Sequence, residues 1–283
     1  MEVLTTSWNW FDESEGTRLA RDLYETQAQR MTRARGLFGY VPTNASHDDH
    51  PDSPATRRIG LLGGLSWEST SRYYTILNEV SIAEHGPWSQ PAVIIDSLDF
   101  SQIVRFRRAG DWVALGRVLA DSARRLEAGG ATVLGIGANT MHRNFDDVVN
   151  AVSIPVVDVR DAMVKAVKSL GASAMTLLGT RYLIENSFYS SYLERAGVYV
   201  VKPDSSHVDE LQAMIDDELV HGIASDRSRE RFEAIINDCR SRGGDVIGVC
   251  SSEFALFVDE ENPPWPFVDS IRVHVSALLE HHE

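Results

Sequence analysis

The sequence predicts an α/β fold of two pseudo-symmetric lobes, each a mainly parallel sheet flanked by helices, with the site in the cleft between them. Two observations predict it: strand and helix patterns alternate from Arg58 onward, and the alternation occurs twice. Parallel strands need a helical crossover to return to the same edge, so alternation is typical of parallel sheets. Ligands of such sheets bind at the carboxyl ends of the strands.

The elements follow from local periodicity. In the first half, RIGLLGG predicts a strand, STSRYYTILNEVSIAEH a helix, AVIIDSL a strand, WVALGRVLADSARRLEAGG an amphipathic helix and ATVLGIG a strand. After IPVVDV, the second half predicts a helix over 160–170, the strand SAMTLLGT, a helix over 185–196, the strand VYVVKP, helices between 207 and 242, and the strand DVIGVC.

A gapless internal repeat relates the two halves. GATVLGIGANT from Gly130 aligns with GGDVIGVCSSE from Gly243, so that Ala138 corresponds to Ser251. IGLLGG at 59–64 likewise resembles MTLLGT at 175–180. The repeat predicts two similar lobes that face each other. The alternative is two generic turns from strand to helix.

These patterns divide the chain into three parts. Residues 1–57 are predicted to be an N-terminal helical extension and linker, because a charged helical pattern precedes a stretch rich in Pro, Ser, Asp and Asn. Residues 58–158 form the first α/β lobe, joined by a C-terminal helix over 265–283, and residues 159–264 form the second lobe. We expect the extension to pack on the body or on a partner subunit.

Composition excludes several classes of protein. A net charge of -14 argues against nucleic acid or an anionic membrane surface as a partner. No run approaches the roughly 20 apolar residues of a membrane span. The two cysteines cannot form a disulfide framework, and no Cys/His spacing indicates a zinc site. We therefore expect a cytoplasmic protein without a metal.

Five ordered motifs then point to a family. IGLLGGLSWESTSRYYTILNE, SLDFSQIVRFRRAGDW, ANTMH, LLGTRYLIENSFYSSYLERAG and DVIGVCSSEFAL resemble the aspartate/glutamate racemase family, which works without pyridoxal phosphate. The resemblance covers about residues 58–280. It implies no cofactor, a small carboxylate or amino-acid substrate held between the lobes, and a homodimer. Racemases of this family use two cysteines, one from each lobe, which remove and return the α-proton on opposite faces.

Both cysteine positions differ here. The residue before Asn-Thr-Met-His, usually cysteine and sometimes threonine in the family, is Ala138, and the ungapped register places Ser251 at the second cysteine position. An alternative register with one inserted residue would make Cys250 that cysteine, but it breaks the internal repeat. A thiol with a reference pKa of about 8.5 can become a thiolate base, whereas serine needs a neighbouring base and alanine carries no proton.

The candidate site residues lie at the strand ends. Acid/base roles are considered for Ser251, for the position of Ala138, and for His142, Cys250 and Glu253. The candidates for substrate binding are Ser66, Asn139, Thr140, Thr180 and Ser252. Helix capping is the alternative for Asn139, Thr140 and Ser252, and a structural role is the alternative for His142.

Three functions remain open on this basis. The first is a diverged enzyme of the superfamily, of isomerase or lyase type, which acts on a small carboxylate by acid/base chemistry without the two-cysteine mechanism. The second is a non-catalytic homologue that binds a carboxylate. The third is an amino-acid racemase silenced by substitution of its two cysteines. We favour the first because the predicted binding residues are present in both lobes, although fold alone does not establish a reaction.

Overall fold

The computed structural model describes residues 57–86, 88–258 and 263–281. The predicted N-terminal helical extension lies outside these residues, apart from Arg57 at its end. Two four-stranded sheets, with all strands parallel, form the molecule, and helices flank both sheets. This is the predicted fold class.

The first sheet has the strand order β2-β1-β3-β4 and the second the order β6-β5-β7-β8. The strands are β1 (Ile59–Gly63), β2 (Val93–Ser97), β3 (Val133–Ile136), β4 (Val156–Val157), β5 (Ala174–Leu178), β6 (Tyr199–Val201), β7 (Val246–Val249) and β8 (Phe267–Asp269). β1 and β5 are buried along their whole length, which explains why both strands read as continuous apolar runs.

The α-helices are α1 (Trp67–His85), α2 (Phe100–Ala109), α3 (Trp112–Ala128), α4 (Phe145–Val149), α5 (Val159–Ser169), α6 (Arg181–Glu185), α7 (Ser187–Arg195), α8 (Ser205–Asp217), α9 (Asp226–Ser241) and α10 (Ser270–Glu280). Short 3₁₀ helices occupy Asn139–Asn144, Leu219–His221 and Ser252–Phe257. None of the helices in the described part is long and apolar enough to cross a membrane.

Polar caps fix where the helices begin. The Asp111 carboxylate accepts a hydrogen bond from the Ala114 N–H at 2.9 Å at the start of α3. Asp158, directly after β4, and Asp269, the last residue of β8, likewise cap α5 and α10. Each cap satisfies a backbone donor that the first helical turn leaves unpaired, so the chain turns sharply from strand to helix.

The internal repeat is present in the structure at the predicted spacing. β3 and β7 lie 113 residues apart, and so do the 3₁₀ helices that follow them. Gly130 and Gly243, the corresponding residues before these strands, have positive φ angles of 90° and 99°, a conformation that favours glycine. The ungapped register therefore describes the backbone of both lobes, and it makes Ser251 the counterpart of Ala138.

The C-terminal segment corrects the sequence prediction. A helix was predicted over 265–283, but Phe267–Asp269 form a strand and the helix begins at Ser270. The strand pairs with β7 in the second sheet, whereas α10 packs on the apolar core beneath β1 in the first lobe. A three-residue strand carries too little alternation to be separated from the start of a helix by sequence pattern.

Candidate active site

The turns that follow three parallel strands, β1, β3 and β7, meet between the sheets. The Ser69 hydroxyl, in the first turn of α1, donates a hydrogen bond to the Gly137 carbonyl oxygen at 2.9 Å, which joins the turns after β1 and β3. The Asn139 side-chain amide donates to the Cys250 carbonyl oxygen at 3.0 Å, which joins the turn after β3 to the turn after β7. The structure thus brings the predicted positions Ala138 and Ser251 to the same junction.

Asn139 bridges the two lobes with its whole amide group. Besides Cys250, Nδ2 donates to the Ser270 hydroxyl at 2.9 Å, and Oδ1 accepts from the Tyr189 hydroxyl at 3.0 Å. The side chain predicted to bind a carboxylate is therefore engaged in contacts between the lobes. The first backbone bond of its 3₁₀ helix runs from the Met141 N–H to the Ala138 carbonyl oxygen at 3.3 Å. The start of a helix presents N–H groups that can bind an anion.

Ala138 has extended backbone angles and precedes the first 3₁₀ helix without a side-chain cap. Its methyl group packs partly buried against the apolar core of the first lobe. Its carbonyl oxygen accepts a hydrogen bond from His142 Nδ1 at 3.0 Å. Ala138 therefore presents only a methyl group from this face.

Ser251 has the equivalent backbone position in the second lobe but carries a hydroxyl with a carboxylate beside it. The buried Ser251 hydroxyl donates to Glu253 Oε2 at 2.6 Å. The Ser252 hydroxyl donates to the same oxygen at 3.2 Å. The neighbouring base that a reactive serine requires is present at this face and absent from the side chain at Ala138.

The Cys250 side chain lies in the core of the second lobe, although its carbonyl oxygen contributes to the junction. Its side chain packs in the apolar cluster with Leu177 and Val268. The thiol donates a long hydrogen bond to the Tyr189 hydroxyl at 3.7 Å, and burial raises the pKa of Cys250 to about 12. A thiol with that pKa stays protonated at neutral pH and makes a poor base. Adjacent residues of an extended chain point to opposite sides, so Ser251 faces away from this core.

His142 has both ring nitrogens hydrogen-bonded, one to its own lobe and one to Val159 at the start of the second lobe. The Val159 backbone N–H can only donate, so it donates to Nε2 at 3.3 Å, and Nδ1–H donates to the Ala138 carbonyl. Desolvation by complete burial lowers the pKa of His142 to about 4, against the opposing effect of the Asp158 charge. A neutral imidazole with both nitrogens bonded fits the structural alternative.

The other predicted binding residues occupy the starts of helices. Ser66 caps α1, where its hydroxyl oxygen accepts from the Ser69 N–H at 3.1 Å. Thr180 caps α6 through a longer bond of 3.4 Å from the Leu183 N–H. Thr140 is buried at the start of the first 3₁₀ helix. Capping uses the lone pairs of Ser66 and Thr180 and leaves their hydroxyl protons available.

Sequence reasoning missed the polar residues that hold the junction. Tyr189 and Ser270 bond to Asn139, and the buried Tyr73 hydroxyl bonds to His274 Nδ1 at 2.8 Å. Since His274 Nε2 bonds to the Val157 carbonyl at 3.0 Å, that nitrogen carries the proton and Nδ1 accepts. These residues lie within helices, where no local spacing distinguishes them from packing residues.

One group of side chains away from the junction has ligand atoms that could hold a metal ion. One such atom from each of Asp204, His207 and Asp238 lies within 4.8 Å of the others. The Arg242 guanidinium forms an ion pair with Asp238 at 2.8 Å, which places a competing positive charge on the same carboxylate. This group is on the outer helices α8 and α9 and does not contribute to the junction.

The sequence and the fold are similar to those of proteins in a known racemase family. A family model described as Asp/Glu/Hydantoin racemase matches residues 62–278. A structure of a candidate Asp/Glu racemase from Yersinia pestis is 32% identical, with a TM-score of 0.75, and the match covers 80% of this chain and 99% of that chain. An aspartate racemase homologue from Pyrococcus horikoshii OT3 is 30% identical, with a TM-score of 0.73 and the same coverage.

A further relative differs more in sequence. The broad specificity amino-acid racemase RacX of Bacillus subtilis (strain 168) is 20% identical over 223 residues, and the match covers 75% of this chain and 92% of that protein. The family match at residues 62–278 lies wholly beyond the N-terminal 57 residues and includes the strand-end turns.

Proposed function

The chain belongs to the Asp/Glu/Hydantoin racemase family, and from that premise we propose that it is a diverged enzyme that moves a proton at one face of a small carboxylate or amino-acid-like substrate. The reaction is of isomerase or lyase type, uses no cofactor and does not use two cysteines. The substrate is held by the turns that carry Ser66, Asn139, Thr140, Thr180 and Ser252.

One observation carries the proposal: Ser251 Oγ donates to Glu253 Oε2 at 2.6 Å, whereas the equivalent position in the other lobe is Ala138. A lone serine hydroxyl is a weak acid and a weaker base. A carboxylate at hydrogen-bond distance supplies the missing partner for proton transfer. The two faces of a substrate held between the lobes therefore meet different chemistry.

The proposed proton transfer runs between the substrate carbon, Ser251 and Glu253. When a C–H bond adjacent to the substrate carboxylate breaks, its proton passes to Ser251 Oγ as the serine proton passes to Glu253. The electron pair remains on the substrate as an enediolate. In the reverse direction, Glu253 returns a proton to Ser251 and Ser251 protonates carbon. Where a second carboxylate on that carbon leaves as carbon dioxide instead, the electron pair of the broken bond stays on the carbon. Ser251 then protonates the carbon from one face, and Glu253, which has taken up one proton from water, returns it to Ser251.

This difference between the two faces predicts a product that is a single enantiomer. A two-base racemase delivers a proton from either face, but the methyl group of Ala138 delivers none. The Ser251 and Glu253 pair should therefore exchange or add a proton with one stereochemical outcome. General acid/base groups typically contribute about 10²- to 10⁴-fold to a rate, so the pair accounts for a measurable part of the activity.

The test follows a panel of small amino acids and dicarboxylates in deuterium oxide. Proton NMR measures substrate loss and deuterium at the reacting carbon, and chiral chromatography measures the hand of the product. We expect turnover of at least one panel member without racemisation. Glu253→Gln and Ser251→Ala should each lower that rate by at least about 100-fold.

Ser241→Ala is the control, because this serine lies on the exposed end of α9 and should leave the rate unchanged. Binding of a panel member without any turnover would contradict the proposal and favour the non-catalytic homologue. A racemic product would also contradict it, because protonation from both faces requires a second acid.

A further inference from the structure

A stacked cation joins the two lobes beside the candidate site. The Arg143 guanidinium carbon lies 4.5 Å from the ring centroid of Trp112 and 5.9 Å from that of Tyr182. The two rings are 4.8 Å apart and tilted by 30°, and an Arg143 N–H donates to the Tyr182 hydroxyl. Trp112 and Arg143 belong to the first lobe, whereas Tyr182 belongs to the second.

All three residues stand at the cleft edge of their sheets. Arg143 is in the 3₁₀ helix that begins at Asn139, and Tyr182 is in α6, two residues after Thr180. Trp112 begins α3, which crosses from β2 to β3 and therefore starts at the carboxyl edge of the first sheet. Ligands of parallel α/β sheets bind at that edge.

The charge of Arg143 is not neutralised by a carboxylate within the described part of the chain. Other arginines do pair with carboxylates, for example Arg72 with Asp269 at 2.5 Å, Arg160 with Asp158 at 2.6 Å, and Arg181 with Asp209 at 2.5 Å. Arg143 instead contacts two aromatic faces and a neutral hydroxyl, and it is exposed. A guanidinium has five N–H donors, so most remain available to a ligand.

The pseudo-symmetry shows that this cation is specific to one end of the cleft. By the internal repeat, the counterpart of Arg143 is Leu256, which is exposed, and the counterpart of Tyr182 is Ser66. Among the described residues, the equivalent position at the end of the cleft formed by α1 and the 3₁₀ helix Ser252–Phe257 therefore carries no cation. Arg229 lies nearby but donates to the Phe257 and Leu256 carbonyl oxygens. A substrate with one anionic arm would have a preferred orientation between the two ends.

We infer that Arg143 is a specificity-determining residue that binds a second anionic group of the substrate, a carboxylate or a phosphate, at the end of the cleft formed with Trp112 and Tyr182. The inference rests on the proposed function for the location of the substrate. Stacking fixes the guanidinium plane before the ligand arrives, so less side-chain freedom is lost on binding.

Calorimetry on the full chain tests the inference with three probes: glutamate, O-phosphoserine, and glutamine, whose side chain is uncharged. Each probe is used as both enantiomers. The parent should bind at least one anionic probe more tightly than glutamine. Arg143→Gln should lower the affinity for that anionic probe by about 10- to 100-fold and leave the affinity for glutamine unchanged. The anionic probe whose affinity falls more identifies the group that Arg143 binds. Arg143→Lys should keep part of the preference for the anion over glutamine, because it keeps the charge.

Two variants separate recognition from architecture. Arg117→Gln removes the same charge from an exposed position on α3 and should leave all affinities unchanged. Tyr182→Phe keeps the stack, removes the hydroxyl and should retain the preference for the anion. Thermal denaturation of each variant checks that the fold is intact.

Equal loss of affinity for glutamate and glutamine in Arg143→Gln would overturn the inference, as would a parent chain without preference for either anion. The outcome is independent of turnover. If selectivity depends on Arg143 but no reaction occurs, only the proposed function fails. If turnover depends on Ser251 but the preference for an anion does not depend on Arg143, only the inference about Arg143 fails.

Discussion

At the scale of single residues, Ala138 and Ser251 hold the same backbone position in two similar turns. Both have extended angles, and both precede a six-residue 3₁₀ helix. Cys250 points into the core and has a raised pKa, so the register that makes it a family cysteine gains no support from its surroundings. The chemical difference between the two faces thus depends on one methyl group and one hydroxyl.

Restoring thiols at both positions tests whether the loss of acid/base groups is the only departure from racemase chemistry. Ala138→Cys combined with Ser251→Cys should bring two thiols to opposite faces of a bound amino acid. Deuterium exchange at the α-carbon of aspartate or glutamate, with racemisation, should appear in this double variant. Either single variant should racemise far less, because one face would still lack its acid.

The parent is the reference and should show essentially no racemisation. Measurable racemisation by the parent would mean that Ala138 and Ser251 do not disable the reaction. A well-folded double variant that binds substrate but does not racemise would mean that the pocket is reshaped for another reaction, which favours the diverged enzyme over a silenced racemase.

At the scale of elements, the junction depends on the bridge that Asn139 makes from the first 3₁₀ helix to β7, α7 and α10. Asn139→Ala removes three hydrogen bonds and leaves the Cys250 carbonyl and the Tyr189 hydroxyl in need of partners. An unsatisfied buried group costs about 1 to 3 kcal/mol, so we expect a loss of about 2 to 4 kcal/mol in the free energy of unfolding.

Urea denaturation measures that loss. Asn78→Ala is the matched control, because the Asn78 amide bonds only to the Tyr74 carbonyl within α1, at the surface. Its effect should stay within about 0.5 kcal/mol. Equal stability of the two variants would show that the Asn139 bridge does not hold the lobes together.

The elements themselves were largely predictable because each strand or long helix carries its own periodicity. β1, β3, β5 and β7 fall within the predicted apolar runs, and the repeat located the equivalent turns. α2 was absent from the predicted elements, and β8 was predicted as helix. The contacts of Asn139 could not be predicted, because Tyr189 and Ser270 lie far away in sequence and meet it only through the packing of three elements.

At the scale of the whole molecule, two buried histidines lie where the lobes join. The rings of His142 and His274 are 5.7 Å apart. His142 Nε2 accepts from the Val159 N–H, which requires a neutral ring, and His274 Nε2 bonds to the Val157 carbonyl oxygen. Asp158, 4.0 Å from His142, is already paired with Arg160. Burial dominates, and it lowers the pKa of His142 to about 4 and that of His274 to about 3.

These lowered pKa values predict that the folded protein loses stability as the pH falls from about 6.5, the ordinary histidine value, towards 4. In that window the unfolded chain binds protons that the folded chain excludes, so each histidine lowers the free energy of unfolding by up to about 1.4 kcal/mol per pH unit. The slope fades above pH 6.5 and is nearly absent by about pH 7.5, where the unfolded chain has also released these protons. Urea denaturation at pH 7.5, 6 and 5 should show this fall in the free energy of unfolding. His142→Gln should be less stable than the parent at pH 7.5 but should lose less stability as the pH falls.

His281→Gln is the control, because His281 is exposed at the end of α10 and should keep the parental slope. A parental slope in His142→Gln would mean that His142 takes up its proton as readily in the folded protein as in the unfolded chain.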